Sequence, residues 1–486
     1  MKRKIAAGVL AIALLFGCIV GCGNNTKSGE KSVKLDPDNP VSLTIWHYYN
    51  GMQQTKFDEL VEEFNATVGK EEGIYVEDRS LGSVVDLEAA LTASLNGEVG
   101  ADPVPDIFST YADTVYTACK QDKLADLSAY FTEKEQEAYV DSYIKEGHLN
   151  GDDALYMIPV AKSTEIMMLN KTDWEPFAEA TGTTLDELST TEGVTAVAEK
   201  YYNWTDSQTP DVEGDGKAFY GRDSMSNYFI IGMKQMGQDV FSLQDGKIVV
   251  NTDKELLHRL WENYYVPYIK GYFDAYGKFR SDDVKTGNIV AYTGSTASVF
   301  YFPDNVETED GNYAIDYEVL SAPAMEGGEN YRVQQGAGMS VAKSDTEHEY
   351  AASVFLKWFT QEEQNLEFVT AAAYLPVLKE ANNIDAVDSI LKKDQIEMDD
   401  KTYKSLSKVL DEFEETQFYT APIGENGYDM RKILDYNLSD QAQADREAID
   451  AAVASGASRE DELAKYTSEE SFENWYQAFC VAVNAQ

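Results

Sequence analysis

The chain reads as an α/β protein of two globular units, with mostly parallel sheets flanked by helices. Three observations predict it. Residues 41–110 alternate strand and helix in the order β-α-β-α-β, which calls for a parallel sheet with right-handed crossovers. The 486 residues exceed the size at which one core keeps growing, and 43% are apolar, enough for two. A second run of strand-like and helical segments begins near Tyr156.

In chain order, Val41-Ser-Leu-Thr-Ile-Trp46 alternates like a strand. Phe57, Leu60, Val61, Phe64 and Val68 share one helical face, and Ile74-Tyr-Val76 is a short strand after Gly73. Leu87, Leu91 and Leu95 form the next helical stripe, and Val104–Thr110 is a third strand. In open α/β sheets ligands sit beyond the carboxyl ends of the strands, so the loops 46–50, 80–83 and 109–113 should converge on one edge. In the second block, Tyr156-Met-Ile-Pro159 opens the run and Asn288–Thr296 is a strand entering a Gly-Ser-Thr turn. Gly336–Ala342 is a further strand. Ala352, Phe355, Leu356 and Phe359 then mark a helix, and the last hundred residues are mostly helical, ending in Trp475-Tyr-Gln-Ala-Phe479.

The N-terminus decides location. Lys2, Arg3 and Lys4 precede an apolar run from Ile5 to Val20, then Gly21-Cys22 and a polar stretch, the pattern of an export signal. A cysteine at the cut resembles the bacterial lipoprotein signal, which implies lipidation, palmitate included, of Cys22 and residues 1–22 as the signal peptide. Cys18 is the competing site, but apolar Ile19 and Val20 follow it, whereas a solvated stretch follows Cys22. Residues 23–40 lack a packing pattern and read as a flexible tether, so lipid plus tether would hold the protein on the outer face of the cell membrane.

The net charge of −45 repels phosphate backbones and anionic headgroups, so nucleic acid is not an expected partner. With Cys18 and Cys22 assigned to the signal, Cys119 and Cys480 remain, one expected in each unit and unpaired. His47, His148, His258 and His348 are not paired at helical spacing, so no histidine metal site is expected. Asp211, Glu213, Asp215 and Gly216 imitate the start of a calcium loop, yet its twelfth position is Arg222 where a bidentate Glu belongs; the favoured reading is an acidic surface turn, with structural calcium as the alternative and otherwise no cofactor.

Enzyme motifs fail. Three scattered Ser-x-x-Lys matches, at Ser142, Ser340 and Ser405, and Lys285-Thr-Gly287 lack the intermediate Ser-x-Asn. Gly-x-Ser-x-Gly, His-Glu-x-x-His and a phosphate-cradling Gly-rich loop are missing, and with 85 acidic residues no carboxylate pair singles itself out as a glycosidase centre. The reading is therefore a non-enzyme.

Several segments in order resemble the extracellular solute-binding proteins of ABC importers, the class containing maltose-binding protein. They are Leu43-Thr-Ile-Trp-His47, Val104-Pro-Asp-Ile-Phe108, Ile158–Glu165 with Met168-Leu-Asn-Lys171, Gly336–Ala342 with Ala351–Phe359, and Tyr374-Leu-Pro-Val377. The resemblance implies a two-lobe periplasmic-binding-protein-like fold (type II), with a ligand cleft between lobes that close on a hinge. Lobe 1 would take 41–158 and 336–378, and lobe 2 would take 159–335 and 379–486. The chain would cross at Pro159–Glu165 and again at Ala322–Gln335. It also implies a monomer that captures a carbohydrate and delivers it to the importer's membrane subunits. The alternatives are a surface glycoside hydrolase, a receptor for a non-sugar solute such as a glycerophosphodiester, and a surface scaffold or adhesin.

Loop position, strengthened by the resemblance, nominates the site. Trp46, His47 and Tyr48 leave the first strand, and Trp46 or Tyr48 offers a face for a sugar ring. Ser83 offers a hydroxyl or caps a helix. Tyr111 lies in the third loop, and Asp113 either accepts sugar hydroxyls or caps. Ser163, Thr164 and Glu165 sit at the crossing. Asn227 and Tyr228 open an apolar segment of the second lobe. Gly294, Ser295 and Thr296 present backbone N–H groups, Gly336 and Gly338 permit close approach of backbone, and Tyr374 is a cleft aromatic by resemblance. Of the cations, only Arg332 and Lys162 lie near these loops, which favours a neutral oligosaccharide over a phosphorylated ligand.

Overall fold

The computed structural model describes residues 33–485, apart from 213, 309, 310 and 396. Cys18, Cys22, Glu213 and the tether up to residue 32 lie outside the described residues. The remainder of the expected tether is not free: Leu35 packs on the first core, and Asn39 N–H donates to Asp36 O at 2.9 Å in a turn.

Fifteen strands are described: β1 Val41–His47, β2 Ile74–Ser80, β3 Ile107–Thr110, β4 Ile158–Pro159, β5 Glu165–Asn170, β6 Tyr220–Arg222, β7 Phe241–Gln244, β8 Lys247–Val250, β9 Ala291–Ser295, β10 Asn305–Thr308, β11 Gly311–Ala314, β12 Tyr317–Ser321, β13 Tyr331–Val333, β14 Gly338–Val341 and β15 Gln417–Tyr419. They form two main sheets, ordered β2-β1-β3-β14-β4 and β12-β5-β9-β6. In the first sheet only β14 runs against the others, and in the second only β5 does. These two are the strands that arrive from the other lobe. β4 continues through 160–164 into β5, and β12 continues through 322–337 into β14. The architecture is thus the two-lobe α/β fold expected; all but one strand of each main sheet share a direction, and because the reversed strand lies inside its sheet, four of the seven pairings are antiparallel.

Helices cover the sheets for the reason the periodicity gives. The helix Gly51–Ala66 buries Phe57, Leu60, Val61 and Phe64, while Val68 falls in a separate short helix, Val68–Glu72, closed by Gly73 at φ +77°. Phe57 and Phe64 meet Phe355, Phe359, Trp358 and Phe368 edge-on or tilted, each burial contributing about 1.5–3 kcal/mol. The second core gathers around the helices Gly427–Ala454 and Glu469–Asn484, through Leu434, Leu438, Phe472, Trp475 and Phe479. β5 is buried along its whole length, Ile166 and Met168 facing one core and Met167 and Leu169 the other.

One boundary differs from expectation. The helix Ile384–Asp394, assigned by sequence to the second lobe, packs on the helix Glu362–Ala372 of the first, because Val387 and Ile390 are drawn into the first core. The chain returns only with the helix Asp400–Asp411, which packs on β12. Cys119 and Cys480 are free and lie against the first core and on the last helix of the second. Among the described residues no helix is long and apolar enough to cross a membrane.

Candidate functional site

A cleft of about 1010 Å3 opens between the lobes, at the top of the about 300–1,000 Å3 typical of small-molecule sites. Its floor is the hinge. Ser163 and Gln335 exchange backbone hydrogen bonds at 3.0 and 2.9 Å, and Lys162 exchanges them with Leu375, so the two crossing segments and the first-lobe turn after the helix Glu362–Ala372 lie side by side. Gly336, at φ +93°, is required there: a Cβ would stand 2.4 Å from Ala161 O. Beneath the floor the fully buried Lys162 donates to Glu146 at 2.5 Å and to Gly336 O at 2.9 Å, and Gln334 Nε2 donates to the same Glu146 oxygen at 2.7 Å.

The first-lobe wall comes from three places. The loop after β3 delivers Tyr111 and Asp113. The helix Val84–Leu95 turns Glu88, Ala89 and Thr92 inward while Leu87, Leu91 and Leu95 face the core, and the turn at 373–374 delivers Tyr374. Ala373 adopts a left-handed conformation (φ +54°) to end the preceding helix, and this aims Tyr374 at the floor. Tyr48 stands behind: its hydroxyl lies 3.3 Å from that of Tyr374 and its ring stacks on Tyr111 at 6.4 Å. Burial pushes the phenols of Tyr48, Tyr111 and Tyr374 up, so all three keep their hydroxyl protons. Burial also raises Glu88, and it raises Asp113 against the opposing pull of Arg431.

The second-lobe wall carries Asn227 and Ile230 from the helix Met225–Gln235, Ser295 from the end of β9, and Tyr419, Glu425, Tyr428 and Arg431 from β15 and the start of the 427–454 helix. Asn227 Nδ2 donates to Glu165 at 2.9 Å, and Glu165 in turn pairs with Arg222 at 3.1 Å.

Of the residues nominated from sequence, Tyr111, Asp113, Ser163, Asn227, Ser295, Gly336 and Tyr374 line the cleft. The others do not. Trp46 sits opposite Arg79 in the β1–β2 register and packs under that guanidinium, 5.4 Å from the ring centre. His47 points to the other face, stacked between Tyr49 and Phe57. Tyr48 supports from behind. Ser83 caps its helix, accepting from Asp86 N–H at 3.1 Å, worth about 1 kcal/mol. Thr164 is buried and its carbonyl takes the Thr296 N–H at 2.8 Å, which consumes the backbone donor expected of that turn. Glu165 is a support, Tyr228 donates to Leu260 O within the second core, and Gly294 packs against Asp223. Gly338 makes room for Met157 inside the sheet. Arg332, half-buried, and Lys162, fully buried, are committed to their own hydrogen bonds, with Ala322 O and with Glu146.

Sequence reasoning missed Glu88, Glu146, Gln334, Gln335, Tyr419, Tyr428 and Arg431. For Glu88 a signal existed: positions 85, 88, 89, 92 and 96 form a small and polar stripe opposite the leucines. For the 419–431 segment none did.

Asp215 accepts from Thr209 Oγ1 at 2.6 Å within an exposed turn, and Arg222, twelfth from Asp211, is buried against Glu165. Elsewhere His47, Asp58 and Asp78 bring ligand-type atoms within 4.8 Å of one another. Yet His47 Nδ1 accepts the Tyr49 N–H at 3.2 Å, which leaves the proton on Nε2 facing Asp78 at 3.2 Å and no lone pair for a metal.

Residues 59–389 match the family model of bacterial extracellular solute-binding proteins. The chain belongs to that family. No curated protein sequence matches it significantly. Similar solved structures include a cyclic α-maltosyl-1,6-maltose binding protein from Arthrobacter globiformis (TM-score 0.61, 19% identity, covering 92% of this chain and 100% of that one). The GacH receptor of Streptomyces glaucescens, solved unliganded and with acarbose, gives 0.61 at 14% identity, covering 91% and 98%. UgpB from Mycobacterium tuberculosis in complex with glycerophosphocholine gives 0.63 at 16%, covering 92% and 100%. At these identities the likeness is one of fold.

Proposed function

We propose that this solute-binding protein captures an oligosaccharide in the interlobe cleft and delivers it to an ABC importer, without transforming it. The observation that carries the reading is the cleft lining: four tyrosines (Tyr111, Tyr374, Tyr419 and Tyr428) set among carboxylates and amides from both lobes. Aromatic faces suit the C–H faces of a pyranose, and the polar groups suit its rim of hydroxyls. The ligands of similar structures, maltose-type sugars and acarbose among them, support it. Against a phosphodiester stands the cation inventory: Arg431 is the one cationic side chain in the described lining, and it lies 3.7 Å from Asp113.

The anchoring part of the reading rests on Cys22: lipid there would hold the receptor near its permease, and the tether would let it reach. Growth with a labelled fatty acid should label the protein, and Cys22→Ser should release it into the medium.

Titration calorimetry against a glycan panel should give a saturable heat for at least one oligosaccharide. Tyr374→Ala should weaken that binding about tenfold, since a lost aromatic contact is worth about 0.5–1.5 kcal/mol beyond its buried area. No heat with any sugar refutes the carbohydrate reading.

A further inference from the structure

The cleft's hydrogen-bonding inventory is lopsided. Its described lining holds five carboxylates, on Glu88, Glu98, Asp113, Glu146 and Glu425, against the single guanidinium of Arg431. Glu146 is satisfied by Lys162 and Asp113 is loosely paired with Arg431, but Glu88, Glu98 and Glu425 have no ion-pair partner among the described residues. Glu88 is also half-buried, its carboxylate accepting from Thr114 Oγ1 at 3.4 Å. Independently, two floor carbonyls, Gln334 Oε1 and Gln335 Oε1, are buried without a donor. Gln334 is only 6% exposed, and its amide nitrogen is already committed to Glu146. Anionic groups therefore outnumber cationic ones in the described lining, and the floor adds two carbonyls that lack a donor.

A neutral sugar hydroxyl brings no charge, so it would leave this excess of anions uncompensated. An alkylammonium only gives, three N–H groups at once, and carries the charge that unpaired carboxylates and tyrosine faces attract. We propose that the cleft's ligand is an oligosaccharide bearing at least one free, protonated amine, received on the first-lobe wall by Glu88 and Asp113. This rests on the carbohydrate reading and names the class within it. Glu98 and Glu425, nearer the rim, draw the cation in, and the floor carbonyls accept from neighbouring N–H or O–H groups.

The test is calorimetry on the full chain with three matched probes: glucosamine oligomers, the same oligomers N-acetylated, and maltooligosaccharides of equal length. The amine form should bind at least about tenfold tighter than its acetylated counterpart, the worth of one charge-assisted contact. That ratio should shrink as salt rises. Glu88→Gln should bring it below about threefold, and Glu425→Gln, at an exposed position that folding tolerates, should flatten its salt dependence. Equal or tighter binding of the acetylated or neutral oligomers overturns the amine assignment and leaves the carbohydrate reading standing. Failure of all three probes overturns the amine assignment, and failure of the whole glycan panel overturns the carbohydrate reading with it.

Discussion

The first crossing segment is clamped at both ends, and the two clamps have opposite sign. At its first-lobe end Lys162, fully buried, is held by Glu146 and by the Gly336 carbonyl. Three residues on, at the second-lobe end, Glu165 is held by Arg222 and Asn227. Lys162 takes its partners from the first lobe and the other crossing, while Glu165 takes both of its own from the second lobe. Between the two clamps lie only Ser163 and Thr164. Each clamp also touches the cleft, Glu146 and Gln334 through the floor and Asn227 through the far wall. A ligand bridging floor and wall would touch residues held by both clamps at once.

The two clamps differ in what they risk. Removing one partner of a buried pair leaves an uncompensated charge, at about 3–5 kcal/mol. Glu146→Ala strands Lys162, whose side chain is 0% exposed, so it should destabilise by that full amount in denaturant unfolding. Lys162→Met combined with Glu146→Leu should recover most of the loss, since an apolar pair of similar volume replaces a buried ion pair with little cost. If the double variant is as unstable as the single one, the pair is not what holds the hinge.

Gly336→Ala attacks the same end through the backbone. It combines a left-handed residue with a Cβ 2.4 Å from a carbonyl, so about 2–4 kcal/mol is expected, together with a weaker ligand affinity. An unchanged affinity would separate the crossing from the cleft. Glu165→Ala at the opposite end should cost less, about 2–3 kcal/mol. Arg222 keeps a hydrogen bond to Ser224 O and lies 4.9 Å from the ring centre of Tyr228. Its sharper signature is in binding: Asn227 loses the acceptor that orients its amide, so calorimetry should show affinity falling further than for Tyr228→Phe, which alters only the core.

What was legible in the sequence follows the same divide. Tyr374 apart, the first-lobe wall grows from one contiguous β-α-β-α-β run, so local periodicity located its loops and brought Tyr111 and Asp113 to the right edge. Trp46, His47 and Tyr48 were on the right strand end, but alternation sends Trp46 under Arg79 and His47 into the core, and nothing local says which. The second-lobe wall is assembled from residues 227–230, 295 and 419–431, brought together only by tertiary packing. Arg431 was invisible because it sits on an amphipathic helix whose apolar face, Met430, Leu434 and Leu438, is the only pattern the sequence displays. Lys162 stood out as a cation near the site. Its pairing with Glu146, sixteen residues earlier on a separate helix, did not.

A third polar cluster contrasts with both clamps, because it is made of like charges. Asp58 and Asp78 face each other beside His47 at the end of the first sheet. Burial first, then the hydrogen bond with Asp78, raises Asp58 to about 6; burial opposes the change at Asp78, but its hydrogen bonds with His47 and Asp58 hold it below the usual range. Asp58, raised in the fold, contributes stability that is full below about pH 4 and lost as pH climbs through about 6. Asp58→Asn keeps a donor towards Asp78 at every pH and escapes that loss. The variant should therefore match the parent near pH 4 and exceed it above pH 6. Solvent screening at this partly exposed position limits the gain to about 0.5–1 kcal/mol. Thermal unfolding at pH 4, 5, 6 and 7 reads the difference directly, and a constant offset across the series would mean that the two carboxylates do not share a proton.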